Sequence, residues 1–181
     1  MTRRFLKFME IVKNFENGPT GNGYVNDPVD AGGETVSGVT RKNYPSLKIW
    51  TSLDKISDVA KKKSYQPTKE EWDEIYKIYF DLYYQKVNAE DIMDEQLAIQ
   101  VFDFAVNGGV SRSAKILQEA IKVTQDGIIG PKTLLAANSN KKASDLFRQH
   151  RIKFYENLVK EKPSNQKFIS GWLNRANKCK V

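Results

Sequence analysis

The sequence predicts a mainly α fold, and three observations carry that expectation. Apolar residues recur at helical spacing along most of the 181-residue chain. Helix start and stop signals sit at the ends of these periodic runs. No strand-like alternation of any length interrupts them. With 40% hydrophobic and 28% charged residues the composition is that of a globular protein, and 181 residues suffice for a real core.

The elements follow in order. Phe5, Phe8, Met9, Val12 and Phe15 share one face of a first helix, with Thr2 as its N-cap. Residues 17–34 hold Gly18, Pro19, Gly21, Gly23, Pro28, Gly32 and Gly33, so they form a loop with at most a short hairpin at Tyr24-Val25. Leu53, Ile56 and Ala60 mark a short helix ending in Lys61-Lys62-Lys63. Thr68 and Glu71 form a capping box for a helix carrying Trp72, Ile75, Tyr76, Tyr79, Phe80 and Tyr83, aromatics spaced for core packing. Leu97 to Val106 is apolar on nearly every face, the mark of a central buried helix, and Gly108-Gly109 ends it. Ser111 caps the next helix, which carries Ala114, Leu117, Ala120 and Ile121. Pro131 starts another at its first position. Phe147, Arg151, Phe154, Tyr155 and Leu158 belong to a long helix stopped by Pro163. Phe168, Trp172, Leu173 and Ala176 form one face of a last helix, and that face is expected to be buried.

Composition removes several function classes. The longest apolar run is far short of the ~18 residues of a membrane span. The N-terminus carries charges through what would be a signal-peptide core and offers no cleavage site. The expectation is a protein made in the cytoplasm that needs release or export to act outside. One His and one Cys cannot build a zinc site of the usual kind. A Ser-His-Asp triad would need His150, which lies in a charged helical run. Cys179 is read as an exposed thiol with no role. The net charge of +7 with pI about 9.3 points to a solvated basic surface or an anionic partner. Nucleic acid is the weaker partner: the basic segment at Ser111–Lys115 belongs to an amphipathic helix, and no nucleic-acid-binding motif is present.

Chemistry concentrates at the first loop. Glu16 closes the first helix and faces a glycine-rich segment bearing Asp27, Asp30, Glu34 and Thr35. This is the layout of a glycan-cleaving site, which needs one protonated carboxyl and a second group that stays ionised or holds a water. Phe15 and the apolar face of the helix desolvate the Glu16 carboxyl, and the helix C-terminal dipole disfavours its anion, as a proton donor requires. Asp27 and Asp30 also fit turns, each lying next to Pro or Gly. Glu34 and Thr35 follow two glycines, where backbone and substrate can approach closely. Tyr24 lines a sugar groove or packs as a core aromatic. Asn107, at the end of the central helix, bonds a sugar amide or caps.

Three stretches together resemble glycoside hydrolase family 108, the lysozyme-like N-acetylmuramidases of phages and bacteria. The first is Glu16 with Gly23-Tyr-Val-Asn-Asp-Pro28, Asp30-Ala-Gly-Gly-Glu-Thr35 and Gly38-Val-Thr40. The second is Phe102-Asp-Phe-Ala-Val-Asn-Gly-Gly109. The third is Asp126-Gly-Ile-Ile-Gly-Pro-Lys-Thr133 with Gly171-Trp-Leu-Asn-Arg175, similar to the peptidoglycan-binding portion that accompanies the family. One departure is plain: Asn17–Asn22 intervenes where the family's Glu and Gly-Tyr are nearly contiguous. The resemblance implies a lysozyme-like helical fold with a Gly-rich active-site loop or short hairpin. It implies a catalytic lobe over 1–105 and a helical peptidoglycan-binding lobe over 106–181. The implied activity is cleavage of the β-1,4 bond between N-acetylmuramic acid and N-acetylglucosamine. Glu16 is then the general acid, with Glu34, Thr35, Asp27 and Asp30 competing for the second role and Tyr24 and Asn107 as substrate contacts. It implies no metal or organic cofactor, peptidoglycan and other anionic wall polymers as partners, no nucleic acid and no membrane insertion. The alternative is a non-catalytic wall-binding or secretion-associated protein that keeps the fold.

Overall fold

A computed structural model of the chain describes residues 1–17, 21–26 and 33–181. The described residues form nine α-helices and three short strands, the mainly α architecture that the periodicity predicts. None of these helices is long and apolar enough to cross a membrane. The chain divides into two compact units. One is Met9–Tyr79 together with Met1; the other is Thr2–Phe8 with Phe80–Val181. Residues 80–105, counted above with the first lobe, pack within the second unit.

Helix α1 (Arg3–Asn17) begins in one unit and ends in the other. Thr2 caps it as expected, its hydroxyl accepting from the Phe5 amide at 3.1 Å. In the first unit, α1 is followed by an antiparallel three-stranded sheet of β1 (Val25–Asn26), β2 (Glu34–Val36) and β3 (Val39–Thr40), in that order. Val25 pairs with Thr35, and Thr35 with Thr40. The sheet extends the hairpin expected at Tyr24-Val25 by one strand. The single helix expected over Leu53–Lys63 is two: α2 (Lys48–Asp54) and α3 (Val59–Ser64). The break comes from Asp58, whose carboxylate accepts from the Ala60 and Lys61 amides and starts a new helix. Helix α4 (Lys69–Tyr79) carries the expected capping box: the Glu71 amide donates to the Thr68 hydroxyl at 3.3 Å and the Thr68 amide to the Glu71 carboxylate at 2.7 Å. Glu71 is buried yet satisfied, since Ser52 and Tyr65 also donate to it.

The second unit starts with Thr2–Phe8 and a π-helical turn at Phe80–Tyr84. Here Phe5 meets Phe80, Tyr84 and Phe102 edge-on or tilted, at 5.0, 5.1 and 5.9 Å between ring centres. Helix α5 (Glu95–Gly108) is buried from Leu97 to Ala105, as its apolar run requires, and packs against α6 (Val110–Ala120) and α8 (Ala143–Glu161). Helix α7 (Pro131–Ser139) opens on proline as expected. A 3-10 turn at Pro163–Asn165 leads into α9 (Gln166–Lys178), which packs on α8. The loop before α7 is closed by buried Gln118, which donates to Asp126 at 2.6 Å and accepts from the Gly127 amide at 2.9 Å.

Three expectations are corrected here. Ser111 does not cap α6; the helix begins at Val110 straight after Gly109, whose φ of 93° turns the chain without a connecting residue. Cys179 is not exposed; its side chain is fully buried, 3.9 Å from the Ile99 carbonyl of α5, and burial pushes its thiol up from the ordinary range. The apolar face of α9 is only partly covered: Ala176 is buried and Trp172 stacks on Tyr155 at 5.2 Å, but Phe168 is 47% exposed. Inside the apolar run of α5, Asp103 is fully buried between two guanidinium groups, Arg151 at 2.8 Å and Arg175 at 2.8 Å.

Candidate active site

Glu16 lies in the last turn of α1, half-buried, and lines a narrow crevice with Met9, Val12, Lys13, Trp72 and Tyr79. The turn between β2 and β3 is laid against it. Val36 pairs with Val39, so Ser37 and Gly38 alone make that turn. Both have positive φ, 48° and 72°, the geometry that matches the twist of a two-residue hairpin. A Cβ on Gly38 would stand 3.0 Å from the Tyr79 hydroxyl and 3.9 Å from Glu16 Oε2. A methyl group there would crowd the Tyr79 hydroxyl and touch the Glu16 carboxylate.

The turn is fixed from several directions. Tyr79 donates to the Ser37 carbonyl at 2.6 Å. Asn17, next to Glu16, donates through its amide to the Ser37 hydroxyl at 2.7 Å. The Ser37 amide and hydroxyl both donate to the Asn22 carbonyl, at 3.0 and 3.1 Å. Asn22 is fully buried; its side chain donates to the Lys62 and Tyr65 carbonyls and accepts from the Tyr24 amide. Glycines are required at both neighbouring positions. A Cβ on Gly21 would lie 2.8 Å from the Asn17 carbonyl oxygen, and one on Gly23 would lie 2.5 Å from Asn17 Oδ1. The ends of the intervening segment Asn17–Asn22 thus belong to the framework that holds Glu16 and the hairpin turn together.

Glu34 sits at the start of β2, and its carboxylate is held by three side chains. Its Oε1 accepts from the Tyr24 hydroxyl at 2.8 Å and from Lys62 at 3.3 Å; its Oε2 accepts from Arg41 at 2.8 Å. Arg41 also grips Asp54 with two bonds, at 2.7 and 2.6 Å. Burial pushes the Glu34 carboxyl up, but the bonds from Arg41, Tyr24 and Lys62 outweigh it and hold the group below the usual carboxylate range. Glu34 is an anion at neutral pH. Tyr24 is displaced upward by burial and by Glu34, so it stays a donor to that anion. Its side chain is only 4% exposed. Thr35 pairs with both neighbouring strands, and its hydroxyl donates to the Gly33 carbonyl at 3.1 Å.

Glu16, Glu34, Thr35 and Tyr24 all belong to the Met9–Tyr79 unit. Asp27 and Asp30 lie outside the described residues. Asn107 belongs to the second unit, at the end of α5, where it is exposed and accepts from the Tyr155 hydroxyl at 2.8 Å. The residues that the sequence does not single out are Asn22, Arg41 and Lys62. The signal for Lys62 was present in the Lys61–Lys63 run, but only one of those three side chains turns inward, and helical spacing does not say which.

The profile of the family described as Glycosyl hydrolase 108 matches residues 16–109, more than half of the chain. A profile described as "Predicted Peptidoglycan domain" matches residues 112–177. Among solved structures the chain is similar to SagA of Brucella abortus, with 27% identity over 97% of this chain and 90% of that one, and a TM-score of 0.64. No curated protein matches the chain.

Proposed function

This chain belongs to the glycosyl hydrolase 108 family, and from that premise we propose that it cleaves the β-1,4 bond between N-acetylmuramic acid and N-acetylglucosamine, with Glu16 as the proton donor. It is a glycoside hydrolase whose partner is peptidoglycan; the bond and the residues are what the proposal adds. The observation that carries it is the placement of Glu16 at a helix end, with a glycine turn against its carboxylate and an ionised Glu34 on the strand entering that turn.

In this mechanism Glu16 gives its proton to the glycosidic oxygen as the bond to the anomeric carbon breaks, and positive charge develops on the sugar ring. Glu34 favours that charge through space. Both of its oxygens are already engaged by Tyr24, Lys62 and Arg41, so attack on the sugar would have to break those bonds. The nucleophile is then a water, and the Thr35 hydroxyl, which donates to Gly33, has lone pairs left to accept from it. As the water adds to the anomeric carbon, whose bond to the leaving oxygen has broken, it releases a proton to solvent, and direct attack inverts the anomeric centre. The functional division remains a catalytic lobe over 1–105 and a wall-binding lobe over 106–181, supported by the family profiles, which part between residues 109 and 112. The net charge of +7 adds attraction to anionic wall polymers. The enzyme reaches the wall after release from the cytoplasm, by lysis or by export.

The test is Glu16→Gln on purified sacculi. Gln fills the same space but cannot give a proton, so turbidity loss should slow by ~10²–10⁴-fold or more with the melting temperature unchanged. Products of the native enzyme should carry N-acetylmuramic acid at their reducing ends. Near-normal clearing by the folded variant would remove Glu16 from the role.

A further inference from the structure

A cavity lies in the peptidoglycan-matching region, between α6 and α8, and its walls carry both signs of charge. It measures about 180 Å³ and is lined by Ile116 and Glu119 from α6 and by His150, Lys153, Phe154 and Asn157 from α8. On α8 these positions follow i, i+3, i+4, i+7 spacing, so one stripe of the helix faces the cavity. The floor is apolar. Ile116 is buried, and Phe154 is held edge-on to Phe104 at 5.7 Å with the Arg112 guanidinium 5.2 Å from its ring centre.

The rim carries both signs of charge. Glu119 stands on the α6 side, 47% exposed, with His150 Nδ1 3.4 Å from it. That nitrogen makes no hydrogen bond among the described residues. Lys153 and Asn157, four residues apart on α8, are exposed and have no side-chain partner among the described residues. The cavity thus offers an anion on one wall, a cation and a free amide on the other, and an aromatic floor between them. Its volume falls below the ~300 Å³ at which pockets for drug-sized ligands begin, so it takes one or two residues rather than a disaccharide.

We infer that the α6–α8 cavity binds the stem peptide of peptidoglycan, with Lys153 on a peptide carboxylate, Glu119 on the ammonium of a diamino acid, and Asn157 on the peptide backbone. The inference rests on the identification of peptidoglycan as the partner and deepens it, because it assigns the recognition of peptide to a site apart from the one that cuts glycan. Wall strands bearing free stems would be held at two places, and strands stripped of peptide at one.

His150 is the chain's single histidine, so its imidazole signal is a unique NMR probe of the cavity. The native full-length chain is titrated with the synthetic tetrapeptide L-Ala-γ-D-Glu-meso-diaminopimelate-D-Ala and, separately, with chitotetraose. The tetrapeptide should shift the His150 signal saturably and chitotetraose should leave it in place. Lys153→Ala and Glu119→Gln should each weaken the tetrapeptide about two- to five-fold, the range of one exposed ion pair, and Lys153→Glu should weaken it further. These positions are exposed, so the variants stay folded. An unmoved His150 signal, an equal shift with chitotetraose, or an unchanged titration in Lys153→Glu would each overturn the inference. The tetrapeptide has no glycosidic bond, so Glu16→Gln should not alter this titration, and failure of the proposed cleavage reads out separately on sacculi.

Discussion

Replacing Glu34 by Gln tests the charge network around the proposed active site. The change keeps shape and removes one negative charge. Arg41 retains Asp54 as a partner, but Lys62 loses the only carboxylate it pairs with among the described residues. Glu34 and Lys62 are 11% and 16% exposed at the side chain, between a surface pair, worth ~0–1 kcal/mol, and a buried pair, whose breaking costs ~3–5 kcal/mol. A cost of about 2 kcal/mol follows, or roughly 4–8 °C in melting temperature for a chain of this size. The pH dependence sharpens the test. The Glu34 carboxyl is held below its usual range when folded, so its contribution is complete above the unfolded value of ~4.3 and is lost as pH falls through the folded value. Melting curves of the native chain and Glu34→Gln should therefore differ fully at pH 6 and converge in acid below about pH 4. A gap that stays constant with pH, or no gap at all, would refute the view of Glu34 as a paired anion. Lysis should fall as well, at temperatures where the variant is folded.

Three further outcomes are expected. Gly38→Ala places a Cβ at positive φ beside Tyr79 and Glu16; it should cost ~1–2 kcal/mol and lower turnover on sacculi beyond what thermal melting explains. Asp103→Asn strips the anion from between two largely buried guanidinium groups and should cost ~3–5 kcal/mol in urea unfolding, the largest loss of any single change named here. Sedimentation with intact sacculi should weaken from low to physiological salt, where surface charges are screened over ~8–10 Å; salt-independent sedimentation would make the +7 balance incidental to wall attachment.

The helices were legible because local sequence writes them: apolar spacing in α5, the Thr68–Glu71 exchange before α4, glycine after α5 and proline at the start of α7. The placement of Glu16 at the end of α1 was legible for the same reason, since a helix end beside a glycine-rich loop is a local pattern. What escaped were residues defined by a distant partner. Asn22 looks like the tail of an insertion, and its three side-chain bonds reach residues 24, 62 and 65. Asp103 sits in an apolar run, where its burial makes sense only with Arg151 and Arg175 brought from α8 and α9. Nor does the sequence around Tyr24 announce Glu34 as the partner of its hydroxyl. Periodicity reports which face of an element is buried; it does not name the group on the other side.

Helix α1 also bears on how the protein is made. The Met9–Tyr79 unit is nearly continuous in sequence, whereas the other unit joins Thr2–Phe8 to residues that begin 72 positions later (80 − 8). On a ribosome the first unit has all its parts once Tyr79 has emerged. The rings of Phe5 and Phe8, synthesised almost first, must wait for Tyr84 and Phe102 before they have a core to join. Such sequence-distant closure slows folding. The order of synthesis therefore assembles the Met9–Tyr79 unit, with Glu16 and the hairpin turn beside it, before the other unit. A transplant of the Phe80–Val181 segment into another protein would have to carry the opening turns of α1 with it.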